Sequence, residues 1–314
     1  MSNFADRLND AVARRRMPGV VNLDPVYEKL PAVLRQDAEA GGPADAAPAL
    51  RAIERFGQGV IEAIAPHVPA VKINSAYFEV YRGAGLDAYF RLVGLARQAG
   101  LVVIGDVKRG DVGHTADQYA EAHVARPRRA GLNDADVPDA ITINGYFGAD
   151  GVRPFTTAAL AAGRGVFVLV RTSNESAATV QDLTTDGGRK VHDRVAGLVA
   201  AWAEDPASIG SSGDSSIGAV VATRDPADAA RLRAAMPRSI FLVPGYGAQG
   251  GTADELRPYF KPGGRGAIIA AGRSVIFAHE DAAHRGRLGD DWRACVGAAC
   301  AAFRADIQRA AYRA

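Results

Sequence analysis

The sequence predicts an α/β fold, a single (β/α)8 barrel, TIM-like in architecture, over residues 1–314. Three observations predict it. About eight short, β-branched apolar runs recur along the 314 residues, and longer segments with helical spacing of apolar positions separate them. Polar residues collect at the C-terminal end of consecutive runs, where barrels of this kind build their sites. The glycine fingerprint that would favour an open, doubly wound sheet is missing after the first run.

Each element follows from its residues. The N-terminal segment, with Asp6, Asp10 and Arg14-Arg15-Arg16, reads as an amphipathic helix and not as a signal peptide. The strand runs are 20–24, 70–74, 101–108, 140–144, 166–171, 217–222, 240–244 and 267–271. Residues 49–67 carry Ile53, Phe56, Val60, Ile61 and Ile64 near helical spacing. Residues 188–203 and 291–312 read as further helices. Asp225 is an N-cap with Pro226 at the first helical position, ahead of a helix over 227–236. Two stretches, 37–48 (Ala, Gly, Pro and acids) and 205–216 (Gly and Ser), read as mobile surface insertions. No repeat or linker divides the chain.

Composition narrows the function classes. Thirty-seven basic and 35 acidic residues leave a formal charge of +2, with no global field calling for nucleic acid. No apolar run reaches the roughly 20 residues of a membrane span, so the expectation is a cytoplasmic protein without a membrane partner. Cys295 and Cys300 lack zinc spacing and read as buried thiols in a reducing compartment.

The chemistry concentrates in residues 102–115, where an apolar run ends in charge. Strand alternation puts Asp106 and Lys108 on one face with Val107 on the other. Asp111 follows in a glycine-bearing turn, and Thr115 enters the next helix. Burying such charges unpaired is costly; Lys72, Asp106, Lys108 and Asp111 can instead form an alternating network. Asp24, Asn74, Asn144 and Arg171 stand at the ends of other strands. His114 is a weaker candidate for proton transfer, and Tyr77-Phe78-Glu79 reads as packing that could wall the site. Strands seven and eight lead into 244–251, rich in glycine, and into Gly272-Arg273-Ser274. Glycine lets the backbone approach a ligand, and a guanidinium fork suits phosphate, so these two loops point to a phosphate monoester.

Asp106-Val107-Lys108-Arg109-Gly110-Asp111-Val112-Gly113-His114-Thr115 resembles the signature of the orotidine 5′-phosphate decarboxylase family. The Arg109-Gly110 step resembles the family's longer bacterial branch (type 2). Asp24, Lys72, Phe78-Glu79, residues 244–251 and Gly272-Arg273-Ser274 match in the expected order, from about residue 20 to 277. The resemblance implies a barrel that acts on orotidine 5′-phosphate without cofactor or metal, as a homodimer with shared active sites. It implies that Lys72, Asp106, Lys108 and Asp111 form the catalytic network, Asp111 and Thr115 reaching into the partner's site. It implies that Asp24 binds ribose hydroxyls, that Gln249, Gly272 and Arg273 hold phosphate, and that 172–177 closes as a lid. The serine that parts of the family carry after strand four is absent; Asn144, or Ser173 or Asn174 on the lid, would meet the pyrimidine instead. Two other readings are a Mg²⁺-dependent sugar-phosphate decarboxylase or hexulose-phosphate synthase of the same barrel group, and a non-catalytic nucleotide-binding barrel.

Overall fold

The computed structural model describes residues 3–39, 45–223, 225–246 and 253–312. Eight parallel strands close into a barrel in sequence order: β1 (Gly19–Leu23), β2 (Ala70–Asn74), β3 (Val102–Arg109), β4 (Ala140–Asn144), β5 (Gly165–Arg171), β6 (Ser215–Val221), β7 (Ser239–Val243) and β8 (Ala267–Ala271). β1 pairs with both β2 and β8, so no sheet edge is left open. Every predicted strand is present, with ends shifted by a residue or two.

Helices among the described residues are α1 (Phe4–Arg15), α2 (Ala32–Glu39), α3 (Ala46–Ile64), α4 (Ala76–Glu79), α5 (Arg82–Gln98), α6 (Gly113–His123) and α7 (Gly148–Ala161). They continue as α8 (Ala178–Gln181), α9 (Val191–Ala203), α10 (Pro226–Ala235), α11 (Ala253–Leu256), α12 (Arg273–Ile276), α13 (Ala282–Leu288) and α14 (Trp292–Tyr312). The Asp225 side chain accepts from Ala227 N–H at 2.9 Å, with Pro226 opening α10, as its cap chemistry requires. Both cysteines are free and buried.

Strand alternation divides the core in two. Outward residues such as Val21, Val71, Val103, Ile141 and Val168 pack beneath the helices. Inward residues, among them Val20, Ile104, Phe167, Leu242 and Ile268, fill the barrel, and one face of α1 joins them through Phe4, Ala5, Leu8, Ala11 and Val12. The amphipathic N-terminal helix is therefore a plug at the N-terminal end of the strands. Phe4 meets the Phe167 ring edge-on at 5.9 Å between centroids. It also lies against Gly165, where a Cβ would come within 2.3 Å of the Phe4 ring. A glycine is needed there for close approach.

The 205–216 segment differs from its reading as a mobile loop. Ser211 and Ser212 donate their backbone N–H groups to the Asp6 carboxylate at 2.8 and 2.9 Å, and Asn3 Nδ2 donates to Ser208 O at 2.9 Å. Ser208, Ser215 and Ser216 are buried. The small polar residues lash the plug to the foot of β6. The 37–48 stretch is partly helical, since α2 runs to Glu39 and α3 starts at Ala46; residues 40–44 lie outside the described set.

Removing the Phe4 ring tests the plug. Phe4→Ala is expected to lower the free energy of unfolding by about 3–5 kcal/mol, the range for a buried aromatic truncated to alanine. A urea unfolding curve reads it; a midpoint unchanged from wild type would mean α1 is not part of the cooperative core.

Candidate active site

The C-terminal mouth of the barrel, opposite the plug, holds the polar strand ends. Asp106 sits at its centre, buried on β3. Its Oδ2 accepts from Lys72 Nζ on β2, and its Oδ1 accepts from Lys108 Nζ at 2.6 Å. The Thr142 hydroxyl on β4 donates to the same Oδ1 at 2.8 Å. Burial pushes the Asp106 carboxyl up, but Lys72 and Lys108 outweigh it and hold it down at about 2. Asp106 is thus ionised across the neutral range.

The two lysines differ in access. The Lys72 side chain is 7% exposed and that of Lys108 is 49% exposed. Lys72 is walled into the network, whereas Lys108 presents its ammonium at the mouth. Breaking a buried pair such as Lys72–Asp106 by removing one partner costs about 3–5 kcal/mol, because the other charge stays behind.

Lys108 also has an unusual backbone. Its φ is +45°, one of three positive values at non-glycine residues among those described. Such a conformation costs roughly 1–2 kcal/mol for a residue with a Cβ. It arises where the β3–β4 ladder breaks: Gly105 pairs with Ile141 and Arg109 with Ile143, so Asp106, Val107 and Lys108 face Thr142 alone. The expected alternation holds in outcome, since Asp106 and Lys108 meet on one side, but a bulge produces it and not a regular strand.

Asp24 joins this cluster from the end of β1. Burial raises its pKa; Lys72 opposes that rise, Asp106 adds to it, and Lys108 and Arg273 also act on it. Its Oδ1 is buried without a hydrogen-bond partner. Arg273 is exposed at the start of α12, after the Gly272 turn that closes over Asn22. Tyr77 faces the same group: burial raises its phenol, and Asp24 raises it further. Tyr77 packs against the core as expected and also feels the charges of the site, while its neighbour Phe78 lies within the core. Asp24, Lys72, Asp106, Lys108 and Arg273 thus share one electrostatic neighbourhood of three cations and two carboxylates.

Other expected residues lie apart from it. Asp111 is not paired with Lys108 of its own chain; Asp111 Oδ1 accepts from the Val112 N–H at 2.8 Å in the turn before α6. Thr115 is exposed on the first turn of α6, and His114 is exposed beside Asp117 at 3.8 Å. Asn144 is exposed, with its Oδ1 taken by the Tyr146 N–H at 3.0 Å. Ser173 and Asn174 line a cavity of about 230 Å³ with Arg171, Thr172, Thr223 and Pro244, at the ends of β5 to β7. Gln181 fastens that loop, donating to Thr172 Oγ1 at 2.7 Å and accepting from Arg171 Nη1 at 3.1 Å. Gln249 lies outside the described residues.

Arg109 turns away from the mouth. It donates to Glu79 Oε1 at 2.6 Å, and its guanidinium lies 5.7 Å from the centroid of the Tyr119 ring. It lines a cavity of about 680 Å³ on the flank of the barrel between α5 and α6, a volume that carries none of the clustered charges. At Gly110 a Cβ would come within 3.0 Å of Asn144 Cβ, so the Arg-Gly step brings β3 hard against β4. Thr142, bonded to Asp106, is a member of this cluster that sequence reasoning missed. Its one signal is a hydroxyl in an apolar strand, two positions before Asn144 on the same face.

Among the described residues no group of three or more His, Cys, Asp or Glu side chains is arranged to hold a metal. None of the described helices is long and apolar enough to cross a membrane.

Comparison with known proteins identifies the family. A family model described as the Orotidine 5'-phosphate decarboxylase / HUMPS family matches residues 51–286. A Rhodopirellula baltica protein named orotidine 5'-phosphate decarboxylase is 39% identical over 282 residues, covering 89% of this chain and 90% of that one. A Clostridium acetobutylicum protein of the same name is 33% identical over 258 residues, covering 82% and 85%. The solved structure of Leishmania donovani OMP decarboxylase superimposes with a TM-score of 0.72 at 28% identity, over 100% of both chains. The chain belongs to the orotidine 5′-phosphate decarboxylase family.

Proposed function

We propose that the Lys72–Asp106–Lys108 network at the barrel mouth carries out the decarboxylation of orotidine 5′-phosphate, with Lys108 as the proton donor. The reaction itself, giving UMP and CO2 in de novo pyrimidine biosynthesis, is that of the family and of the relatives at 32–39% identity. The observation that carries the assignment is Lys108: half-exposed, yet tied at 2.6 Å to a buried, ionised carboxylate.

Breaking the C6–carboxylate bond leaves its electron pair on C6. An ammonium beside that carbon stabilises the developing negative charge and then delivers its proton there. CO2 departs, the new C6–H bond gives UMP, and the Lys108 amine regains its proton from solvent. Asp106 aims the ammonium, holding it through the Oδ1 contact at 2.6 Å. It also stands close to where the substrate carboxylate must lie, and that repulsion ends as CO2 leaves. Lys72 holds Asp106 from behind.

Remote contacts supply the binding. Arg273 and the Gly272 turn take the phosphate, joined by Gln249. Asp24 takes ribose hydroxyls with its unpartnered oxygen. Asn144, Ser173 and Asn174 stand on the pyrimidine side, the last two on the loop that closes over it. Binding energy from the non-reacting phosphate can be used to desolvate and orient the reacting end.

The site is completed by a second copy of the chain. Asp111 and Thr115 are displayed at the mouth but do not engage their own Lys108. Val80, Val112, Tyr146 and Phe147 are exposed on the segments after β2, β3 and β4, where a partner would cover them. In a homodimer with two-fold symmetry each copy lends Asp111 and Thr115 to the other.

Three measurements test this reading. Loss of orotidine 5′-phosphate absorbance, followed with EDTA present, should proceed at full rate in the wild type and fall by at least about 10⁴-fold in Lys108→Ala. Near-normal turnover in that variant would refute the donor assignment, and a need for added Mg²⁺ would favour the sugar-phosphate alternative. Arg273→Ala should lower kcat/KM by roughly 10²–10³-fold through the lost charge-assisted phosphate contacts, against little change for a surface arginine such as Arg285. Mixing inactive Lys108→Ala with inactive Asp111→Ala should restore about a quarter of wild-type activity, since half the dimers are mixed and each has one intact site. A mixture as inactive as its components would exclude shared sites.

A further inference from the structure

The β3–β4 ladder is interrupted where the chemistry sits, and one side chain fills the gap. Three residues of β3 face Thr142 alone, so the ladder is interrupted on its β4 side. Thr142 Oγ1 accepts the Lys108 N–H at 3.0 Å and donates to Asp106 Oδ1 at 2.8 Å. The residue is 1% exposed. Its proton has one place to go: a backbone N–H only donates and an ionised carboxylate only accepts, so the hydroxyl hydrogen points at Asp106.

We propose that Thr142 is a positioning residue for the decarboxylation, holding Lys108 in the left-handed conformation that brings its ammonium onto Asp106. The proposal rests on the reading of Lys108 as proton donor. One hydroxyl governs both ends of that lysine. It grips the Lys108 N–H directly, and it shares Asp106 Oδ1 with Lys108 Nζ, which lies 2.6 Å from that oxygen. Lys108 at φ +45° gains nothing from its own intrinsic preference there. Without the Thr142 oxygen its N–H loses that acceptor, and a return to the extended region would re-aim the side chain and shift the ammonium from its place on Asp106 Oδ1. Lys72 cannot compensate, because it binds the other carboxylate oxygen.

The required chemistry is a hydroxyl at this depth. Valine keeps the shape of threonine and removes both hydrogen bonds; serine keeps both and removes a methyl group. Steady-state kinetics on Thr142→Val and Thr142→Ser, with wild type and Lys108→Ala alongside, separate the roles. In Thr142→Val, kcat should fall about 100-fold, equivalent to about 2.7 kcal/mol of transition-state stabilisation. KM should stay within about threefold, because the phosphate and ribose contacts are untouched. Thr142→Ser should recover kcat to within about tenfold of wild type. If the valine variant does not fold, Thr142→Ala removes the same oxygen without added bulk and carries the same expectation. A merely structural hydroxyl would lower the melting temperature and leave kcat per folded site unchanged. That result, or a serine variant as slow as the valine one, overturns the proposal. An active Lys108→Ala is a different failure: it removes the donor assignment itself, whatever the Thr142 variants do.

Discussion

The mouth of the barrel depends on one buried carboxylate. Asp106 is ionised in a place that excludes water, which is tolerable only because donors surround it. Lys72 takes one oxygen, and Lys108 and Thr142 share the other. Each donor comes from a different part of the barrel wall, so β2, β3 and β4 must be in register before the charge is satisfied. The bulge in β3, the left-handed Lys108 and the depth of Lys72 are consequences of meeting that requirement. The same arrangement leaves one ammonium at the surface of the network, facing the volume where a substrate lies. A substrate with a phosphate and a carboxylate adds negative charge to a cluster with an excess of one cation, and Asp106 then opposes only its reacting end.

Much of this was legible in the residues. Apolar runs ending in Asp24, Asn74, Lys108, Asn144 and Arg171 announced both the strands and the end of the barrel that matters. Glycines before Arg273 announced a turn made for close approach. What could not be read was pairing across the sheet. Period-two alternation put Asp106 and Lys108 together for a reason that does not operate, since the strand is bulged between them. Thr142 carries little local signal, because threonine is an ordinary strand former; it stands out only by facing a bulge more than 30 positions earlier in the chain. Asp111 reads as part of the network when the motif is taken as a line of charges, yet within one chain it only closes its own turn. The 205–216 segment departs from its local composition for a related reason. Glycine and serine suggest looseness locally, but these serines are matched to Asp6 and Asn3 about 200 residues away.

The barrel separates its two duties along its axis. Its foot is sealed by Phe4, Leu8 and Val12 against Phe167, Ile240 and Ile268. Its mouth concentrates unfavourable features: a left-handed lysine, a carboxylate oxygen of Asp24 without a partner, and a buried charge. Strain at a working end is affordable where apolar packing at the other end is extensive.

The plug has a consequence for how the protein is made. α1 precedes every strand it seats against, and its cluster includes Val220 of β6, Leu242 of β7 and Ala270 of β8. At translation speeds of about 5–20 residues per second, the helix waits on the order of ten to fifty seconds before its seat has been synthesised. For that interval the Phe4–Leu8–Val12 face is bare and adhesive. The apolar face of the first helix thus stays uncovered through most of synthesis and is seated only when the last strands are made.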